Sequence, residues 1–149
     1  MKAVALIPAR GGSSAIPGKN IKPFCGRPLL YWTCKAASES KFLESVYVAT
    51  DDQQISSTVE SFGLPKVRVI GRSAESATDA APTEQVLMEF AREVEFDAVF
   101  LIQATSPLLQ PADLERGWER LRSRGTDSVL SVVRQHRFVW RETEDGSVA

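Results

Sequence analysis

A chain of 149 residues is one domain's worth of sequence, and 43% apolar with 25% charged residues is the balance of an ordinary soluble globular protein. A net charge of −1 leaves no global basic field for nucleic acid, so an anionic ligand must be held by a local site. No apolar run reaches the roughly 18 residues that a membrane-spanning helix needs, and Cys25 and Cys34 have neither metal-knuckle nor redox-pair spacing, which points to a reducing, cytoplasmic setting.

In chain order, residues 3–8 (AVALIP) form an apolar run that ends in a glycine-containing loop. They read as a first strand covered on both faces rather than as a signal peptide. Residues 28–40 have apolar positions at helical spacing, and residues 46–50 (VYVAT) are a second strand. Asp51 with Gln54 has the capping-box pattern for a helix to about Phe62, stopped by Gly63. Residues 67–70 (VRVI) are a third strand. Residues 82–94 are a helix with Val86, Leu87, Phe90 and Ala91 on one face. Residues 98–102 (AVFLI) are a fourth strand, Pro111 opens a helix running to about Arg124, and residues 128–133 (SVLSVV) are a fifth strand. The polar tail RETEDGSVA reads either as a frayed end or as the point where a longer chain was cut. Strand alternating with helix predicts an α/β fold: a mostly parallel sheet with right-handed crossovers and helices on both faces.

In such sheets, ligands bind beyond the carboxyl ends of the strands. Residues 10–20, 50–52, 72–83, 103–106 and 134–140 fall at those ends. The first of these loops fits neither familiar phosphate formula. Five residues separate Gly12 from Gly18, Asn20 follows Lys19 where a Walker loop has Ser or Thr, and Gly11 and Gly12 are adjacent. Its ingredients still suit a polyphosphate: backbone amides at Gly11 and Gly12, hydroxyls at Ser13 and Ser14, and the cations Arg10 and Lys19. A solvated Gly-Ser turn with two incidental cations is the bland alternative.

The run IPARGGSSAIPGKNIKPFCGRPLLYW resembles the opening motif of the acylneuraminate cytidylyltransferases, whose pattern is close to ARGGSKxIPxKN. The likeness continues through VYVATDDQQI, GRSAESATD, IQATSPLLQPADL and DSVLSVVRQHRFVW, and the last two are closest to the animal-type enzymes. The resemblance implies a three-layer α/β/α Rossmann-like fold of the nucleotide-diphospho-sugar transferase type. It also implies transfer of CMP from CTP to a nonulosonic sugar acid with release of pyrophosphate, and a need for Mg²⁺. By motif match, Arg10 and Lys19 would lie nearest the phosphates and serve catalysis. Gly11, Gly12 and Ser13 would form the cradle, and Asn20, Arg72, Ala81, Thr83 and Gln103 would complete the CTP site. Homodimers are usual in the family, and neither nucleic acid nor membrane is an expected partner.

Other readings stand beside these. Arg72 also reads as a surface cation and Gln103 as a strand-end amide. Asp51 and Asp52 could form a metal pair or a helix cap, and Asp79 is equally open. Thr105 and Ser106 could line the site or turn the chain. His136 reads as a solvated or packing residue, Trp32 and Trp118 as packing residues, and both cysteines as unreactive. Ser14 replaces the family's usual lysine, which removes one cation. The family pattern would be expected to continue past Ala149 into metal, sugar and dimerisation elements. That leaves a non-catalytic CTP-binding module needing a partner chain as a second function class. A synthetase for CMP-Kdo is a third reading, disfavoured by GGS and by QATSP, where an acidic residue is usual near Thr105.

Overall fold

The computed structural model describes residues 1–12, 16–78, 81–123 and 125–135. Strand β1 (Ala3–Pro8) is its centre, with Ala3 to Ile7 all buried. Successive side chains of a strand point to opposite faces. Ala3, Ala5 and Ile7 join one core, whereas Val4 and Leu6 join a second core on the opposite face. That is why the run is apolar without alternation.

The chain continues through a hairpin, β2 (Pro23–Phe24) with β3 (Arg27–Pro28), and then α1 (Leu29–Glu39) and β4 (Leu43–Thr50). Next come α2 (Gln53–Glu60), β5 (Val67–Gly71), α3 (Thr83–Glu93), β6 (Ala98–Leu101) and α4 (Pro111–Leu121). The four long strands form one parallel sheet in the order β5-β4-β1-β6. Leu30, Cys34 and Ala37 of α1, Ile55 and Val59 of α2, and Leu114 of α4 pack on the Ala3–Ala5–Ile7 side. Val86 and Phe90 of α3 cover Val4 and Leu6 on the other. Helices therefore flank both faces, as the alternation predicts.

Local chemistry sets the ends of these elements. Pro111 occupies the first helical position of α4, where its missing N–H costs nothing, and the Asp113 carboxylate accepts from Gln110 N–H at 2.9 Å. Gly63, with φ of 65°, takes the left-handed conformation that ends the turn after α2. The hairpin turns through Cys25 and Gly26, both at positive φ (49° and 79°), a two-residue loop of the type that matches strand twist. Trp32 Nε1 donates to Phe24 O at 2.8 Å and ties this hairpin to α1.

Two expectations are corrected. The cap of α2 is Asp52, not Asp51: Asp52 Oδ1 accepts from Gln54 N at 2.7 Å and Ile55 N at 3.0 Å. Residues 128–133 form no strand. Val129, Leu130, Val132 and Val133 are exposed, because a β-prone run becomes a strand only where a neighbour supplies ladder partners. Trp118 stacks on Phe42 at 5.0 Å and so packs as expected.

Leu30 is fully buried on the face of α1 that meets β1. Leu30→Ala is expected to lower unfolding free energy by about 2–5 kcal/mol, read as a shifted urea midpoint at unchanged slope. A loss below about 1 kcal/mol would mean that this face is not core.

Candidate functional site

Strand order reverses at β1: the chain steps outward to β4 and β5, then returns to place β6 on the other side. The crevice at such a reversal is where open α/β sheets bind ligands. Here it is a cavity of ≈ 220 Å³. Arg10, Lys19 and Asn20 reach it from the loop after β1, Arg72, Ala81 and Thr83 from the β5–α3 connection, and Gln103 and Thr105 from the end of β6. Seven of the residues expected to hold a nucleotide thus line one cavity. Thr105, read as either site or turn, is a lining residue; Ser106 makes the turn, with its N–H on Gln103 O at 3.2 Å.

The lining carries the cations Arg10, Lys19 and Arg72 and, among the described residues, no carboxylate. A chain of net charge −1 has concentrated positive charge in one concavity. Gly18, at φ 64°, starts the short 3₁₀ turn Lys19–Ile21 that carries Lys19 and Asn20. Asn20 is buried, and its Nδ2 donates to Arg10 O at 3.1 Å, which fixes the loop's first cation relative to its last residue. Its Oδ1 is buried without a hydrogen-bond partner. An orphaned acceptor of that kind costs about 1–3 kcal/mol, and a ligand donor in the cavity would remove the cost. Thr33 Oγ1 donates to Ala104 O at 3.4 Å and ties α1 to the β6 loop.

Arg72 is half-buried. Its Nη2 donates to Ser76 O and its Nε to Ser76 Oγ at 3.3 Å. Burial lowers its pKa, the carboxylates of Asp51 and Glu89 oppose that, and Arg10 lowers it further. Glu89, a residue the sequence reading missed, gathers the loop: Ser73 Oγ, Ser76 Oγ and Ser73 N–H all donate to its carboxylate, at 2.5, 2.8 and 3.3 Å. These bonds, first Ser73 and then Ser76, hold its pKa below the ordinary 4.5. The available signal was a glutamate beside the apolar Val86–Phe90 stripe of α3, downstream of two serines three apart.

Two residues of the expected cradle, Gly11 and Gly12, stand outside this lining. The Gly11 N–H donates to Asp51 Oδ1 at 3.1 Å, so an internal carboxylate occupies the amide assigned to phosphate. Gly11 is glycine for another reason: an added Cβ would stand 2.7 Å from the Cβ of Asp52. Gly12 is exposed and stands outside the lining. Ser13 and Ser14 lie outside the described residues, as do Asp79, His136 and Trp140. Asp51 and Asp52, read as either a metal pair or a helix cap, both have structural roles: Asp51 accepts from the Gly11 N–H and Asp52 caps α2. Among the described residues no three metal-ligating side chains converge. Burial pushes the Cys34 thiol up to about 12, so it is inert.

A parallel α/β sheet with a cationic cavity at its switch point is an arrangement suited to an anionic ligand. The chain belongs to the cytidylyltransferase family, whose model matches residues 4–143. It is 43% identical to N-acylneuraminate cytidylyltransferase A of Danio rerio over 95% of this chain and 33% of that protein. It is 40% identical to the 8-amino-3,8-dideoxy-manno-octulosonate cytidylyltransferase of Shewanella frigidimarina over 78% of this chain and 46% of that one. Among solved structures, CMP:2-keto-3-deoxy-manno-octonic acid synthetase complexed with CTP is similar at TM-score 0.73 and 31% identity, over 82% of this chain and 48% of that one. The chain spans about a third to a half of the length of these relatives.

Two outcomes test the geometry. Gly11→Ala is expected to cost about 1–3 kcal/mol from overpacking against Asp52, measured by chemical denaturation; a neutral result would contradict the close approach. Glu89 should hold its loop at neutral pH and release it only as pH falls through its depressed pKa. The Ser73 amide resonance should therefore titrate with a midpoint below 4.5, and a midpoint at or above that value would contradict the bonding.

Proposed function

We propose that this chain binds CTP in the β1–β6 crevice, for transfer of CMP to a nonulosonic sugar acid with release of pyrophosphate. The observation that carries the reading is the convergence of Arg10, Lys19 and Arg72 on one cavity whose described lining contains no acid. Family membership and 43% identity to an N-acylneuraminate cytidylyltransferase support the choice of base and acceptor. The octulosonate relatives share less of the chain, 78% against 95%, which favours the nine-carbon acceptor.

In this reading the sugar's anomeric oxygen forms a bond to the α-phosphorus as the bond to the β-phosphate oxygen breaks. Negative charge builds on the leaving pyrophosphate, and the hydroxyl proton passes to solvent. Catalysis of this kind rests on positioning and on charges already in place. Arg10 and Lys19 offset the developing charge, Arg as a planar fork and Lys as a point charge. Arg72 and Gln103 contact the nucleotide, the Gln103 amide offering donors and acceptors to base or ribose. Asn20 Oδ1 accepts from a nucleotide donor. Ala81 contributes through its backbone and Thr83 through its hydroxyl. The amides of Gly11 and Gly12, which stand outside the lining, would reach the phosphates only once Gly11 yields its bond to Asp51. Mg²⁺ would be held chiefly by phosphate oxygens, as is usual for this ion, and would offset their charge. A cytoplasmic homodimer belongs to the same reading; no helix among the described residues is long and apolar enough to cross a membrane.

The direct test is titration calorimetry of the chain with CTP and with GTP, then incubation with CTP, Mg²⁺ and N-acetylneuraminic acid. Selective CTP binding and formation of a CMP-sugar with pyrophosphate are expected. Binding without product would restrict the chain to a nucleotide-binding module, and absence of CTP binding would defeat the reading. Lys19→Ala is expected to weaken CTP binding about ten- to a hundredfold, the range of a lost bond to a charged group. Unchanged affinity would remove Lys19 from the phosphates.

A further inference from the structure

We infer that Glu89 is a positioning residue for nucleotide binding, acting through Arg72; this rests on the reading of the crevice as a CTP site. Arg72 follows the last residue of β5, an edge strand, so no ladder bond continues past Gly71 to hold it. What holds its guanidinium is the main-chain carbonyl and hydroxyl of Ser76, four residues on. Ser76 is fully buried, and its place is set by Glu89 Oε2, which takes its hydroxyl, and by Ser73, whose Oγ accepts the Ser76 N–H at 3.1 Å. Ser73 in turn is held by both oxygens of the same carboxylate. One side chain on α3 therefore anchors both serines of the turn that grips Arg72.

The need for such an anchor is electrostatic. Arg72 lines a cavity with Arg10, which disfavours its charge, and burial disfavours it further. A mobile guanidinium in that position would turn out to solvent. Glu89 opposes this twice, by closing the turn and by adding a negative charge near Arg72 from outside the cavity lining. Glu89 also borders a separate small void with Ile70, Gly71 and Phe90, which places it beside the end of β5.

The test is CTP calorimetry on the full chain carrying Glu89→Ala, Glu89→Gln, Arg72→Ala, and Glu89→Ala combined with Arg72→Ala or with Lys19→Ala. Glu89→Ala is expected to weaken CTP about tenfold, the size of one lost charge-assisted contact. The loss should vanish when Arg72 is already alanine and persist in full when Lys19 is alanine, the signature of action through one partner. Glu89→Gln keeps one acceptor oxygen and the same volume, and should fall between. Equal losses in both backgrounds, or none in either, would overturn the inference. A second measurement needs no nucleotide: the Arg72 Nε–H resonance should be dispersed and slow to exchange in the free chain, should collapse to the solvent-exposed position in Glu89→Ala, and should move part of the way in Glu89→Gln. A resonance unmoved by both variants overturns the positioning role whatever CTP does. Collapse in a chain that binds no CTP would instead overturn the nucleotide reading and leave the positioning intact.

Discussion

Arg10 and Arg72 are set against the same cavity, and Arg10 makes the charge of Arg72 less favourable. Most of the architecture at this end of the sheet can be understood as holding them there. Asn20 ties back to the Arg10 carbonyl, Ser76 grips Arg72, and Asp51 and Glu89 supply negative charge from outside the lining. A dense anion entering the cavity would offset the positive charge gathered there, as the proposed binding of a nucleotide's phosphates requires.

The parallel sheet makes this convergence possible. All four strands point their carboxyl ends the same way, so loops distant in sequence arrive at one rim. The reversal at β1 opens a gap between the loop after β1 and the loop after β6. Thr33 and Trp32, on neighbouring positions of α1, bind outward to the Ala104 carbonyl and the Phe24 carbonyl. One helix thereby locates both the far loop and the hairpin that follows the phosphate-loop segment.

Much of this was legible in the residues, and the misses have physical causes. Strands buried on both faces are short continuous apolar runs, so β1 was read to the residue. The cap of α2 was misplaced by one because Asp51 and Asp52 are adjacent and either could serve. The choice was made by a tertiary bond, Gly11 N–H to Asp51, which periodicity does not carry. The hairpin was missed because its strands are two residues long and its first turn position is Cys25, not the Asn, Asp or Gly that usually marks positive φ. The SVLSVV run has strand composition, but pairing depends on a neighbour and not on composition. At the site, Arg10 and Lys19 stood out in the glycine loop, whereas Asn20, Arg72 and Gln103 were found through the resemblance of their motifs, and the structure brings all five to one cavity. Glu89 and its serines were not found, because a network that positions a binding residue has no spacing rule.

Gly11 shows how one residue can support two explanations. It reads as a bare amide for phosphate, yet in the structure its amide serves Asp51 and its missing Cβ makes room for Asp52. The claim on which the account depends is narrower than the glycines: the cations around the β1–β6 crevice receive the nucleotide's phosphates. A crystal structure of the chain soaked in CTP tests this most directly. The account predicts triphosphate density between Arg10, Lys19 and Arg72, with a nucleotide donor against Asn20 Oδ1. Nucleotide bound elsewhere, with that crevice holding only solvent, would contradict it.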